Sequence, residues 1–295
     1  MKVLFCIVCL FAVNSAYADI VVYDDENNKI TLKKPAQRII SLAPHVTEMV
    51  YAAGAGDKLV AAVSYSDYPL AAKKLPRVGS YNKINVEALL LHNADLIIAW
   101  GSSGGTRVQL EKIKSLGVPV YINNPKFIRD IPMTLEHIGK LANTVAQAQL
   151  AINHFQTLYN KIEKQYRNKQ TVSVFYQIWD TPLMTVNGKH FISDAIRLCG
   201  GRNVYANLPA LAAKISYESV ISNKPQVIIA GGMQGEKVSW LKQWRDWQQI
   251  PAARKKQLYS IPPDLLQRHS PRILLGTEKL CEVINKAREV YAKEP

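Results

Sequence analysis

A long apolar stripe near the middle of this 295-residue chain limits the folds that it can adopt. The stripe residues lie three or four positions apart, at Ile138, Leu141, Val145, Ala148, Ile152, Phe155, Tyr159, Ile162 and Tyr166. That spacing places them on one face of an α-helix. With Asp130 as N-cap and Pro132 in the first turn, we predict one helix from Pro132 to about Asn168, on the order of 50 Å long. Such a helix indicates a rigid connection between two lobes, and a coiled-coil dimer is the alternative.

Short apolar runs rich in β-branched residues flank this stripe and alternate with helix-length segments. The alternation is typical of βα units with buried parallel strands. The strand candidates are residues 38–42, 59–64, 96–100, 118–122, 172–177, 227–230 and 257–260. The predicted fold is therefore α/β, with a central, mostly parallel sheet in each of two lobes. We predict an N-terminal lobe over residues 19–131, an interlobe helix over 132–168 and a C-terminal lobe over 169–295.

An internal repeat also favours two related lobes. Residues 85–100 (NVEALLLHNADLIIAW) align without a gap with residues 216–231 (SYESVISNKPQVIIAG). Each copy has a polar N-cap, a glutamate in the first helical turn (Glu87 or Glu218), a polar turn and a strand ending in Ile-Ile-Ala. The equal separation of glutamate and strand favours pseudo-symmetric lobes over a chance similarity of two βα units.

The first 18 residues predict a secretory signal peptide. Lys2 supplies a positive charge, residues 3–13 are apolar but too few to span a bilayer, and residues 16–18 form an Ala-Tyr-Ala cleavage site. The mature chain would begin near Asp19, and a buried N-terminal strand is the alternative.

Cleavage would leave Cys199 and Cys281 as the only cysteines. In an oxidising compartment that pair predicts one disulfide, which would stabilise the fold by roughly 2 to 4 kcal/mol.

The charge pattern and the missing motifs narrow the function. The formal net charge is +14, but the longest basic run covers only residues 254–256. We therefore predict a diffusely basic surface and no nucleic-acid partner. The sequence has no H-E-x-x-H and no phosphate-binding loop, and its six histidines are scattered. Residues 101–105 (GSSGG) lack the lysine and the spacing of a Walker motif and are interpreted as a turn between Trp100 and the next helix. A binding protein is favoured over an enzyme or a zinc protein.

Five segments carry a family resemblance. They are residues 41–44 (SLAP) followed by Thr47-Glu48, 64–69 (SYSDYP), 95–100 (DLIIAW), 198–201 (LCGG) and 270–272 (SPR). The chain resembles the periplasmic cobalamin-binding proteins of ABC importers, within a wider group that also carries siderophores and haem. SYSDYP, Trp100 and the two cysteines point to the cobalamin branch. The resemblance implies a monomeric class III periplasmic binding protein, located in the periplasm, with cobalamin as transported ligand and no cofactor.

The resemblance also implies a ligand site at the strand ends. The implied ligand-binding residues are Pro44, His45, Tyr65, Tyr81 and Trp100 in the N-terminal lobe, and Asp264 and Arg268 in the C-terminal lobe. A corrin is a wide, largely apolar disc fringed with neutral amides, so it suits flat aromatic walls and a few hydrogen-bonding groups. The alternatives are that Trp100 anchors the core and that Asp264 and Arg268 form a surface pair.

The sequence departs from the family pattern at two aromatic positions. Tyr81 and Ala212 stand where tryptophans are expected, so one aromatic wall is missing. Met184 or Trp179 could replace it. His45 stands where a small residue is expected, and it could contact the ligand or a metal.

The expected partners are a small cargo and an importer. In the family, an exposed glutamate on each lobe meets arginines of the two permease subunits, and Glu87 and Glu218 match those positions. Stabilisation of the helix N-terminus is the alternative role for both. An iron siderophore or haem is the alternative cargo. It would require several arginines across the cleft, and only Arg107 and Arg268 are candidates.

Overall fold

The computed structural model describes residues 19–80, 82–101, 106–231 and 239–293. The predicted signal peptide and Tyr81 lie outside these residues. The described chain forms two α/β lobes with mostly parallel sheets, which confirms the predicted fold class. No helix in this part of the chain is long and apolar enough to cross a membrane.

The N-terminal lobe is built on a parallel sheet covered by helices. Its elements are β1 (Ile20–Tyr23), β2 (Lys29–Leu32), β3 (Ile39–Ser41), α1 (Pro44–Ala52), β4 (Leu59–Ala62), β5 (Gly79–Ser80), β6 (Lys83–Ile84), α2 (Val86–Leu90), β7 (Leu96–Trp100), α3 (Arg107–Ser115), β8 (Val120–Asn123) and α4 (Ile131–Ala142). The sheet order is β4-β3-β7-β8, and every pair is parallel. Strands β3 and β8 are buried along their whole length, as expected for a sheet covered on both faces. All four strands predicted for this lobe are present.

The apolar stripe occupies two helices, so the prediction of one continuous helix is wrong. Helix α4 ends at Ala142, and α5 spans Val145–Tyr166. Between them Asn143 has a left-handed backbone with φ 56°, which interrupts an α-helix. Helix α4 packs on α1 and β1 of the N-terminal lobe, whereas the 22-residue α5 leads to the C-terminal lobe. The predicted lobe boundaries stay predictions.

The C-terminal lobe holds a second, mixed sheet. Its elements are β9 (Val172–Trp179), β10 (Met184–Val186), α6 (Phe191–Leu198), β11 (Gly201–Asn203), β12 (Ala212–Lys214), α7 (Tyr217–Asn223), β13 (Val227–Ala230), α8 (Trp240–Trp244), α9 (Pro251–Arg254), β14 (Leu258–Ser260), α10 (Pro263–Leu266) and α11 (Ile273–Ala292). Strands β11, β9, β13 and β14 pair in parallel, while β10 and β12 add antiparallel pairs. The three strands predicted here are present.

The internal repeat has the same local structure in both lobes. Asn85 caps α2 by accepting a hydrogen bond from the Ala88 amide at 3.0 Å. Ser216 caps α7 by accepting one from the Ser219 amide at 3.2 Å. Each short helix is followed by a central strand, β7 or β13. The caps, helices and strands therefore occupy equivalent positions, which agrees with pseudo-symmetric lobes.

One apolar core runs through both lobes by way of α5. It extends from Ile39 in β3, through Ile152 and Phe155 in α5, to strand β9. Helix α11 packs against α5, α6 and β9. The Cys199–Cys281 disulfide ties α11 to the end of α6, which confirms the predicted bridge. Together these contacts hold the two lobes to each other through α5 and α11.

Candidate ligand-binding cleft

A cavity of about 920 Å³ lies between the lobes. Segments at or just after the carboxyl ends of β7, β8 and β9 line it, the usual position of ligand sites in parallel α/β sheets. The described residues that line it are Trp100, Asn124, Pro125, Lys126, Phe127, Ile178, Trp179, Met184, Lys189, His190, Phe191, Ile192, Leu211, Gln267 and His269. Its volume lies at the upper end of the range for small-molecule sites.

Four aromatic side chains give the cavity its walls. Trp100 and Phe127 come from the N-terminal lobe, and Trp179 and Phe191 come from the C-terminal lobe. Trp179 is 37% exposed and packs edge-on against Trp240 with ring centroids 5.9 Å apart. A flat ligand entering the cleft would therefore meet apolar rings on both sides. Trp179 and Met184, the predicted candidates for the missing wall, both line the cavity.

His45 packs behind Trp100 in the first turn of α1. Its side chain is 5% exposed, and its ring lies edge-on to Trp100 at 5.5 Å between centroids. Burial lowers the pKa of His45 to about 3, helped by the nearby positive charge of Arg268 and opposed by Asn123. His45 is therefore a neutral imidazole near pH 7. Pro44 begins α1 and is partly buried, but neither Pro44 nor His45 lines the cavity.

A buried group of charges joins the two lobes beside the cavity; we call it the interlobe ion network. Arg268 is 7% exposed, and its Nη1 donates to Glu48 Oε1 and Asp67 Oδ1, both at 2.8 Å. Its Nη2 lies 3.1 Å from Asp264 Oδ1. Arg272 Nη2 donates to Glu48 Oε1 at 2.7 Å. Two arginines of the C-terminal lobe thus bind the same carboxylate of the N-terminal lobe, that of Glu48, which is 3% exposed.

The network places Asp264 and Arg268 away from the cavity lining. They pair with each other, as the surface-pair alternative predicts, but Arg268 is buried rather than at the surface. Partial burial raises the pKa of Asp264, and the positive charge of Arg268 opposes this shift. A contact between these side chains and a ligand stays a prediction.

Tyr65 follows β4 at the edge of this region. Its side chain is 65% exposed and does not line the cavity, while its carbonyl accepts a hydrogen bond from Arg268 Nη2 at 3.3 Å. Its backbone is left-handed, with φ 64°.

Arg107, one of the two arginine candidates for binding an anionic cargo, is exposed and lines a separate, much smaller hollow. Among the described residues no arginine lines the cavity.

Glu87 and Glu218 are exposed, one in the first turn of α2 and one in the first turn of α7. Hydrogen bonds from its own backbone amide and from Ser216 lower the pKa of Glu218. Leu91, just after α2, is 82% exposed. Each lobe therefore presents an accessible carboxylate at the same place in the repeat.

Sequence reasoning missed several lining residues. Phe127 lies four residues beyond β8, so the rule that ligands bind at strand ends could have found it. Phe191 and His269 follow no such rule, because they reach the cavity from the start of α6 and from the turn between α10 and α11.

Among the described residues, no group of three or more His, Cys, Asp or Glu side chains is arranged to hold a metal ion.

Two α/β lobes around an apolar cleft define the class of bilobed solute-binding proteins. The chain belongs to the periplasmic binding protein family, whose model matches residues 39–265. This confirms the resemblance at the level of the family, and with it the prediction of a binding protein rather than an enzyme.

Curated relatives and solved structures extend the match to most of the chain. A "Vitamin B12-binding protein" of Vibrio parahaemolyticus is 35% identical over 249 residues, or 84% of this chain and 90% of that protein. The crystal structure of the periplasmic vitamin B12 binding protein BtuF of Vibrio cholerae matches with a TM-score of 0.81 and 36% identity, over 86% of this chain and 99% of that chain. The periplasmic heme-binding protein RhuT from Roseiflexus sp. RS-1 matches with a TM-score of 0.73 at 20% identity, over 86% and 99% of the two chains, and shares the fold.

Proposed function

We propose that this protein captures cobalamin in the cleft between its lobes and delivers it to an ABC importer from the periplasm. The observation that carries the proposal is the wide cavity of about 920 Å³ with aromatic walls on both sides. The relatives named as vitamin B12-binding proteins, which match over most of the chain, support it. The predicted signal peptide supports export.

The chemistry of the lining suits a corrin. Trp100, Phe127, Trp179 and Phe191 can cover the faces and edges of an apolar ring system. Polar groups such as Gln267 can bond to the amides at its rim. The amides at the rim of a corrin are neutral and need no cluster of arginines. This agrees with the cavity, because none of the described residues that line it is an arginine.

Replacing Trp100 or Trp179 by alanine should weaken cobalamin binding by about 1 to 3 kcal/mol each, or roughly 5- to 150-fold in Kd. Each change removes aromatic surface from one wall of the cavity. Calorimetric titration with cyanocobalamin measures both the Kd and the expected 1:1 stoichiometry. Asp264→Ala in the same titration tests the contact predicted at that residue.

Tyr23→Ala provides the matched control, because it removes an exposed aromatic ring from β1, outside the cavity lining. Its Kd should equal that of the unaltered protein. Unchanged affinity in both tryptophan variants would remove these walls from the site. No binding of cyanocobalamin at all would contradict the proposed function.

Haem is the second candidate, because Lys126 and Lys189 line the cavity and could pair with its carboxylates. Haem and a ferric siderophore belong in the same titration. Tight binding of haem without binding of cyanocobalamin would replace cobalamin as the proposed cargo.

For docking, we propose that Glu87 and Glu218 contact the importer. Both carboxylates are exposed, and they occupy equivalent positions of the repeat, so they suit a transporter with two similar subunits. The shared core through α5 would keep their separation constant. On a protein with net charge +14, two isolated acids would also orient the encounter.

The double variant Glu87→Ala with Glu218→Ala should weaken association with the importer by about tenfold or more. Its melting temperature and its cyanocobalamin affinity should stay nearly unchanged. A matched control is Glu111→Ala with Glu289→Ala, which removes one exposed acid from each lobe at unrelated sites. A large fall in melting temperature with normal association would assign the pair to helix stabilisation instead.

A further inference from the structure

Three histidines, from both lobes, lie in or behind the wall of the cavity. His269 and His190 line the cavity from the C-terminal lobe. The ring of His45, from the N-terminal lobe, lies 5.4 Å from that of His269 between centroids. Phe191 stacks on His269 at 4.2 Å, and Trp100 meets it edge-on at 6.1 Å. His269 is therefore held by ring packing at the centre of the group.

The hydrogen bonds of these histidines separate their roles. His190 Nδ1 accepts the Ile192 amide at 3.1 Å and so caps α6. His45 Nε2 and His269 Nδ1 are both buried without a partner among the described residues, but of these two histidines only His269 lines the cavity. Buried polar atoms in native proteins nearly always have a partner, and an exception needs an explanation. An imidazole that lines a ligand cavity and lacks a hydrogen-bond partner in the protein indicates a group that binds the ligand.

The chemical state of His269 favours a metal rather than an anion. Burial, with some help from His45 and His190, keeps the pKa of His269 well below its usual value. The ring is therefore neutral at pH 7 and retains a lone pair, which is the form that binds metals. A neutral imidazole offers little to a carboxylate but is a good ligand for cobalt or iron.

We propose that His269 is an axial ligand to the metal of the bound cargo, which makes the cleft selective for corrinoids with a replaceable axial ligand. This inference rests on the proposed function. An imidazole nitrogen of His269 forms a bond to cobalt, the cobalt–water bond breaks and the water leaves. The oxidation state stays the same, and no proton moves because the imidazole is already neutral. A corrinoid whose axial positions are held by cyanide binds through its ring alone.

Cobinamide tests this directly, because it lacks the nucleotide base and any axial nitrogen must come from the protein. The reduced cobalt(II) form, bound to the unaltered protein, should show triplet nitrogen splitting in its electron paramagnetic resonance spectrum. Protein labelled with ¹⁵N-histidine should convert the triplet to a doublet. In titrations, His269→Gln should weaken diaquacobinamide by about tenfold or more and change dicyanocobinamide by less than about twofold.

His154→Gln is the matched control, since His154 is exposed on α5 and does not line the cavity. It should retain the splitting and both affinities. Bound cobinamide without nitrogen splitting would overturn the axial role and leave cobalamin binding intact. Failure of cyanocobalamin and both cobinamides to bind would instead overturn the proposed function. If His269→Gln does not fold, the isotope experiment on the unaltered sequence shows whether a histidine is the ligand. His190→Asn, which alters the other histidine that lines the cavity, should then keep the splitting, and its loss would overturn the assignment to His269.

Discussion

Replacing Glu48 by glutamine should lower the free energy of unfolding by about 3 to 5 kcal/mol. Glu48 accepts hydrogen bonds from Arg268, Ser270 and Arg272, all in the C-terminal lobe. A neutral amide keeps the size of the side chain but leaves two guanidinium groups with less negative charge around them. Burial makes such a loss costly, because water cannot replace the missing partner. Chemical denaturation at pH 7 measures the effect.

Glu136→Gln is the control for this change. It removes a carboxylate that pairs with Lys140 one turn along α4, where both side chains are about half exposed. Its cost should not exceed about 0.5 kcal/mol. A Glu48→Gln variant as stable as Glu136→Gln would show that the interlobe ion network contributes little to stability.

Acidification from pH 7 to pH 5 should destabilise the protein by up to about 2 kcal/mol for each of His45 and His190. The pKa is about 3 for folded His45 and about 4 for folded His190, below the ordinary value of 6.5. Burial is the main cause for both, and Arg268 adds to it at His45. Below pH 6.5 the unfolded chain gains protons that the folded chain excludes. The stability contributed by these groups is therefore present above pH 6.5 and is lost as the pH falls toward 4 and 3.

Denaturation curves at pH 7 and pH 5 test this expectation. His45→Gln should reduce the difference between the two free energies by about 2 kcal/mol. His190→Asn should do the same while keeping a side chain that can cap α6. His154→Gln, an exposed change on α5, should leave the difference as it is. An unchanged difference in the first two variants would mean that these histidines do not govern the acid response.

Local patterns predicted the framework of the fold. The seven strand candidates are all present because each is a compact apolar run, and the repeat located both capped helices. The break at Asn143 was missed because the three-and-four spacing continues across it. Strands such as β10 and β12 were missed because three residues are too few to show a period.

The cleft was predictable only in part. Trp100, which the family resemblance implied, lines the cavity at the end of β7. The interlobe ion network was not found, because Arg268 and Glu48 lie 220 positions apart in the sequence. Their contact depends on how the two lobes are set against each other, and no local pattern encodes that orientation.

The interlobe ion network also affects how the cargo is released. In the proposed function the cargo must leave from between the lobes, and spreading them would pull Arg268 and Arg272 away from Glu48. Rehydration would offset only part of that cost, so the free protein would open rarely. A loaded carrier would then hold its cargo while it diffuses and would empty only where an importer performs work on both lobes.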